Sequence, residues 1–389
     1  MPVIDRIRSY HQDLVRIRHD IHAHPELGYR ETRTSDLVAA QLRAYGIEVH
    51  RGLAKTGVVG RLKAGTGNRA IGLRADLDAL PIHERNEFGH RSQHDGVMHA
   101  CGHDGHTTML LGAARYLAET RNFDGTVHFI FQPAEEGGGG ARVMIEEGLF
   151  EKFPCDEVYG MHNWGTAPAG IFGIRPGPLM AASGSFDLTI AGKGAHAARP
   201  EQGVDPVVVA ANTVMALQTI ASRNISAIDA VVVSVTQIHG GDAYNVIPEE
   251  VVLKGNVRGY KPEVLEKLGP AIQRIADGVA ATYGARAKLD FRMTYPPLIN
   301  HARETEIAAN AAAEVVGEEN VDRNMPPRTA SEDFSFMLQA RPGAFIFIGN
   351  GKGETSCDVH NPRYDFNDDI IPLGASFFAR LIEKSLPKR

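Results

Sequence analysis

The stretch Met98-His99-Ala100-Cys101-Gly102-His103-Asp104-Gly105-His106 places the hardest condition on any fold of this chain. It holds one thiol, three imidazoles and one carboxylate within nine residues. An apolar core has no use for that mixture, because a buried polar group without a partner costs free energy. Cysteine and histidine two residues apart can turn sulfur and nitrogen toward one point, and divalent metals bind such donors. A fold built on this stretch must therefore carry further donors to it from distant segments.

At 389 residues the chain exceeds one simple core, and two domains are expected. A formal net charge of -6 argues against a general binder of nucleic acid or anionic membrane. No uninterrupted apolar run is long enough to cross a bilayer. The first 18 residues mix charge with apolar residues at helical spacing and contain no signal-peptide apolar block. A cytoplasmic location is the expectation. Cys101, Cys155 and Cys357 are too few, and odd in number, for a disulfide framework.

Apolar periodicity orders the rest. Ile7, Leu14, Ile17 and Ile21 predict a helix over 5–22, ended by His24-Pro25. A second helix is expected over 35–45, stopping at Gly46. Residues 70–75 read as a short buried strand that runs into Asp76-Leu77-Asp78. Met109, Leu110, Ala113, Ala114 and Leu117 mark a helix after the opening stretch. Residues 126–131 form a strand that ends at Gln132-Pro133, and 158–161 another that ends at His162. This alternation predicts a layered α/β domain. In such sheets functional residues gather beyond the carboxyl ends of strands. Asp76, Glu135, Glu136 and His162 all follow predicted strands closely.

From residue 183 the order becomes strand 184–190, helix 205–222, strands 231–238 and 250–257, helix 262–283 and strand 287–293. That β-α-β-β-α-β order is the ferredoxin-like split motif. We therefore read 183–295 as an inserted second domain, with 1–182 and 296–389 forming one discontinuous domain. In the returning segment a helix is expected near 304–316, a strand at 344–348 and a final helix near 372–385.

Glu135-Glu136 is an unusual acidic pair at the end of an apolar strand. If one carboxylate points at a metal, the other can sit beside water whose pKa the metal lowers, accept its proton and pass it to a leaving amine. His162 and His360 each read alone as ordinary hydrogen-bonded histidines, and Cys101 alone as a buried thiol. Their joint occurrence is what gives them weight.

Five segments, 21–28, 74–81, 98–106, 132–137 and 193–200, together make the chain resemble the M20 metallopeptidases. The likeness is to the amidohydrolase branch, which includes hippurate hydrolases, N-acyl-amino-acid amidohydrolases and plant indole-acetyl-amino-acid hydrolases. It spans essentially the whole chain, and it implies that the insertion is a lid or dimerisation domain. It further implies a two-metal centre with Cys101 as bridging thiolate and His103, Glu136, His162 and His360 as the other ligands. Glu135 would be the general base and acid. Many M20 members have His-x-Asp where this chain has Arg74-Ala75-Asp76, so Asp76 is read as a carboxylate that orients a ligand histidine. His196 would stabilise the oxyanion, often in the partner subunit's site. Asn245 and Arg258 would recognise the amino-acid half of the substrate, arginine being suited to a carboxylate. His19, His22, His24, His99 and His106 are left outside the site.

These implications describe a hydrolase of N-acyl-amino acids that holds two divalent ions, drawn from manganese, zinc, nickel and cobalt. Its partners would be a small-molecule substrate and other copies of itself, as a homodimer or homotetramer. Three other readings are a dipeptidase or aminopeptidase on the same scaffold, a non-catalytic metal-binding protein, and a hydrolase with Cys101 as nucleophile. The paired glutamates speak against the second, since a pure binding site has no use for an unliganded base.

Overall fold

The computed structural model describes residues 4–353 and 356–388. Its elements begin with helices α1 (Asp5–Ser9), α2 (His11–Ala23) and α3 (Thr32–Ala44), then strands β1 (Glu48–Leu53), β2 (Gly57–Ala64) and β3 (Ala70–Asp76). There follow α4 (His103–Thr120), β4 (Gly125–Gln132), α5 (Gly140–Glu146), α6 (Leu149–Lys152), β5 (Glu157–Pro168), β6 (Phe172–Gly173) and β7 (Gly177–Met180). The middle of the chain contains β8 (Ala182–Ala191), β9 (Ala195–His196), α7 (Pro206–Leu217), β10 (Val231–His239), β11 (Val246–Ile247), β12 (Glu250–Gly259), α8 (Pro262–Leu265), α9 (Leu268–Thr282) and β13 (Arg286–Tyr295). The return comprises β14 (Leu298–Asn300), α10 (Ala302–Val316), β15 (Val321–Asp322), α11 (Phe334–Ala340), β16 (Gly343–Gly351) and α12 (Ile371–Ser385).

The chain divides into two compact units. The first comprises Met1–Leu179, Ile299–Pro326 and Asp333–Arg389; the second comprises Met180–Leu298 and Pro327–Glu332. The second unit thus starts and ends three residues outside the expected 183–295 and gains a short segment from the return. The gain follows from Ala181, whose N–H donates to the carbonyls of Arg328 and Ala330.

The first unit is built on an eight-stranded mixed sheet in the order β1-β2-β4-β3-β5-β16-β6-β15. The central strands β3, β4, β5 and β16 run parallel where they pair with one another. They are buried along nearly their whole length, which is why they read in sequence as largely apolar runs, broken by buried polar residues such as Arg74, His128 and His162. Helices α2, α4, α10 and α12 pack on one another against this sheet, while α5 and α11 form a separate pair against β4, β5 and β16. Leu73, Phe129, Met109, Leu110 and Phe377 are among the fully buried residues of the resulting core.

The N-terminal helix expected over 5–22 is interrupted at Tyr10, which separates α1 from α2. The strand expected to end at His162 continues to Pro168, because Asn163, Trp164 and Pro168 keep pairing with β16 after β3 has stopped. Both strands of the β1–β2 hairpin escaped the periodicity reading. β1 is mostly polar and half exposed, so it gives no apolar signal.

The second unit has the sheet order β10-β12-β8-β13, all antiparallel, with α7 and α9 packed on it. This is the ferredoxin-like arrangement. Phe186, Leu188, Ile190, Leu253 and Ile272 form its own core. No helix among the described residues is long and apolar enough to cross a membrane.

Candidate metal centre

Parallel register places the carboxyl ends of β3, β4 and β5 side by side. Asp76 pairs with Gln132, and two residues beyond the Arg74–Gly160 pair stand Asp76 and His162. The segment 98–106 lies over this edge, with His103 as the first residue of α4. Gly102 before it has φ +89°, a left-handed conformation that glycine adopts at little cost.

Two groups of donors converge here. Cys101, His103 and His162 form one, and Cys101, Glu136 and His360 the other, with the candidate ligand atoms of each group within 4.8 Å of one another. Cys101 belongs to both. A third group of the same span joins His103 to Glu135 and Glu136. The five residues expected as ligands, and the expected base, are thus brought to one place by elements far apart in sequence.

Each donor is held by its other atoms. His103 Nδ1 donates to the Asp78 carbonyl at 2.8 Å, and its Nε2 is buried with no hydrogen-bond partner. His162 Nδ1 donates to the Asn163 carbonyl at 2.7 Å, while Nε2 faces Cys101 Sγ at 3.3 Å. His360 Nε2 is 3.1 Å from Glu136 Oε1. The His360 N–H donates to the Ala100 carbonyl at 2.7 Å, which ties its loop to the cysteine segment.

The charge balance calls for a cation. Burial, reinforced by Glu136, Glu135 and Asp76, pushes the Cys101 thiol well above its ordinary pKa. Burial alone would lower His103, but Asp76 and Asp78 outweigh it and raise its pKa to about 10. Burial keeps His162 neutral, with its pKa well below the ordinary value. Burial disfavours the charged form of Glu136, yet His360 and His103 hold its pKa down. An anionic pocket that suppresses its own thiolate, beside an imidazole nitrogen without a partner, fits a divalent ion, which would replace the protons on Cys101 and His103.

Asp76 does something other than expected. Its Oδ1 accepts from His106 Nδ1 at 2.7 Å and its Oδ2 accepts from Arg74 at 2.7 Å, while His103 Nε2 lies 3.7 Å away. The histidine it orients is therefore His106, which is not among the expected ligands. For His103 that part is taken by the main-chain oxygen of Asp78.

Asp78 is also the residue sequence reasoning missed. Its Oδ1 and Oδ2 accept the N–H groups of Glu135 and Glu136, each at 3.0 Å. One buried carboxylate so fixes the turn that aims both acids. Ala134, just before them, adopts φ +52° and donates its N–H to Glu31 Oε1 at 2.9 Å. The only hint in sequence is the Asp-x-Asp spacing of 76 and 78.

Behind the centre lies a buried charged network. Arg18 reaches Asp368 at 2.8 Å, Asp365 at 3.2 Å and Asp104 at 3.5 Å. His22 lies 2.8 Å from Asp104 and 3.2 Å from Glu84. Because Asp104 follows His103, this network anchors the first turn of α4. His99 is buried, outside every donor group, and burial lowers its pKa to about 4.

The remaining expected residues lie in the second unit. His196 is exposed on β9 and pairs with Val246 of β11, next to Asn245, whose carbonyl accepts from Ala197 at 3.0 Å. Arg258 is on β12, half-buried, and donates to Ser331 at 3.1 Å. The β9–β11 ribbon lies beyond the Glu250 end of β12, eight residues from Arg258. At the rise of a strand that is about 26 Å.

Thiol, imidazole and carboxylate donors gathered at the carboxyl edge of an α/β sheet make a candidate metal centre, and comparison with known proteins places the chain among hydrolases. The model of peptidase family M20/M25/M40 matches residues 72–384, and the chain belongs to this family. It is 41% identical over 386 residues to a hippurate hydrolase of Campylobacter jejuni, covering 99% of this chain and 100% of that protein. It is 40% identical over 381 residues to an IAA-amino acid hydrolase of Arabidopsis thaliana, covering 96% and 86%. A solved Bacillus subtilis protein, described as a dinuclear metal binding peptidase from the M20 family, superposes with a TM-score of 0.86. It is 32% identical, and the match covers 97% of this chain and 99% of that one. The protein is thus a hydrolase of amide bonds.

Proposed function

We propose that the chain hydrolyses the amide bond of N-acyl-amino acids at a centre of two divalent ions. The observation that carries this reading is the pair of donor groups sharing Cys101, beside a second glutamate that neither group uses. Cys101, His103 and His162 would hold one ion, and Cys101, Glu136 and His360 the other. Bound there, the ions supply Lewis acidity toward the amide carbonyl and make water acidic enough to lose a proton near neutral pH. Glu135 takes that proton and delivers it to the departing nitrogen. Asp78 keeps Glu135 aimed by holding its peptide N–H. The relatives' descriptions, hippurate and IAA-amino acid hydrolases, support a substrate with an acylated nitrogen and a free carboxylate.

Arg258 suits that carboxylate, and His196 with Asn245 suits the oxyanion and the polar end of the substrate. In line with the family resemblance, His196 with Asn245 would act in the site of a second copy. At least a homodimer is then required.

The test is a panel of hippurate, N-acetyl- and indole-acetyl-amino acids and unblocked dipeptides. Each is assayed after chelator stripping and reloading with manganese, zinc, nickel or cobalt. Hydrolysis of acylated substrates that Glu135→Gln lowers by at least 100-fold, with metal content intact, is the expected result. Preference for unblocked dipeptides would favour a peptidase. A trapped acyl-enzyme that ignores chelators would favour Cys101 as nucleophile.

A further inference from the structure

One buried residue braces two of the candidate ligands, Cys101 and His162, without being a ligand itself. Asn163 is 1% exposed, and every polar atom it has is engaged. Its side-chain amide donates to the Cys101 carbonyl at 2.6 Å. Its own carbonyl accepts from His162 Nδ1 at 2.7 Å, which leaves Nε2 of that ring bare toward Cys101. Its main-chain N–H donates to His106 Nε2 at 2.9 Å, which forces the His106 proton onto Nδ1, where Asp76 Oδ1 accepts it at 2.7 Å. Its Oδ1 accepts from the Tyr364 hydroxyl at 2.9 Å. The Cys101 carbonyl can only accept, so it settles which end of the amide is nitrogen, and the Tyr364 hydroxyl then donates to the oxygen.

Gly102 supplies an independent observation. A Cβ at Gly102 would stand 2.4 Å from Asn163 Nδ2 and 2.6 Å from the Tyr364 hydroxyl. Both distances are far below contact. The glycine between Cys101 and His103 therefore does two things: it takes the left-handed turn, and it leaves the space into which the Asn163 amide fits. The Cys-Gly-His spacing and a residue on β5 describe one interlocking device.

We propose that Asn163 is the positioning residue of the Cys101–His162 pair. It rests on the reading of Cys101 and His162 as metal ligands. Asn163 fixes the cysteine through the peptide that follows its side chain, and fixes the histidine through ring orientation and tautomer. It locks both to β3 through His106 and Asp76. Outer partners of this kind tune metal affinity without touching the metal.

Cobalt(II) is the probe, since thiolate coordination gives a near-ultraviolet charge-transfer band that is independent of activity. The variants are Asn163→Asp and Tyr364→Phe. Asn163→Asp is isosteric but turns an acceptor toward the Cys101 carbonyl. Tyr364→Phe removes only the hydroxyl that orients the amide, and it keeps the test open if the aspartate variant does not fold. We expect cobalt affinity to fall about 10–100-fold in Asn163→Asp and less in Tyr364→Phe, with the thiolate band displaced or weakened in both. Wild-type affinity and band in either folded variant overturn the assignment. So does an unaltered band in which binding falls only with the folded fraction. If the wild-type protein itself shows no thiolate band, the reading of Cys101 as ligand fails, and the positioning assignment falls with it.

Discussion

Removing the metal should loosen one unit of this protein and leave the other as it was. The five proposed ligands, Cys101, His103, Glu136, His162 and His360, all lie in the first unit. An ion that binds only the folded state stabilises it by about 2.7 kcal/mol when free metal is 100 times its dissociation constant. For a unit of about 260 residues that corresponds to a melting shift of about 5–8 °C for each of the two ions, taking about 2–3 °C per kcal/mol. The assay compares stripped and reloaded protein by thermal melting, and by hydrogen exchange read segment by segment. Protection should rise in 98–106, 132–137, 157–168 and 357–362, and stay constant in 231–259 of the second unit. Cys101→Ser should lose most of the shift, because it weakens both donor groups together. An equal gain in 231–259, or a full shift in Cys101→Ser, would refute the reasoning.

Asp78→Asn places a donor against a peptide N–H it now accepts, while the main-chain bond to His103 survives. kcat should fall about 10–100-fold with near-normal metal content by elemental analysis; an unchanged kcat would remove Asp78 from its assigned part. His22 is fully buried, and although burial opposes its charge, Asp104 and Glu84 raise its pKa to about 9. Because the folded pKa lies above the unfolded value of about 6.5, the stability it contributes is fully present below pH 6.5 and is lost as pH rises through 9. It amounts to about 3 kcal/mol. The gap in urea midpoint between the wild type and His22→Gln should therefore shrink between pH 6 and pH 10, and a constant gap would contradict it. Arg18→Leu leaves the buried carboxylate of Asp104 with His22 as its remaining cationic partner and takes the hydrogen-bonded cation from Asp368 and Asp365; it should cost about 1.5–3 kcal/mol in urea unfolding, against near-neutrality if the network contributes nothing.

What could be read from the sequence followed from periodicity and residue chemistry. The second unit's order was legible because each of its elements carries a clean apolar face, as in Phe186, Leu188 and Ile190. Cys101, His103 and the Glu135-Glu136 pair stood out by their joint occurrence, since Cys101 alone reads as a buried thiol, and their separate roles came from the family resemblance. The illegible parts depend on main-chain groups. Asp78 acts on peptide N–H groups 57 and 58 residues away, and Asn163 on the carbonyl of Cys101, 62 residues away. Peptide groups are the same in every residue, so sequence carries no mark of such pairings. The extension of β5 past His162 was hidden likewise, since it is sustained by β16 and not by its own polar residues.

The sharing of Cys101 by both donor groups has a consequence for the protein's lifetime. Sulfur can be oxidised stepwise to sulfenic, sulfinic and sulfonic acids, and the later steps are not reversed by ordinary thiols. Damage at a single atom would here disable both groups at once, so inactivation by peroxide would follow a single-hit course with no half-loaded, half-active stage. Survival of the centre then depends on the reducing capacity of its surroundings and on how well the 7% exposure of Cys101 shields it between turnovers.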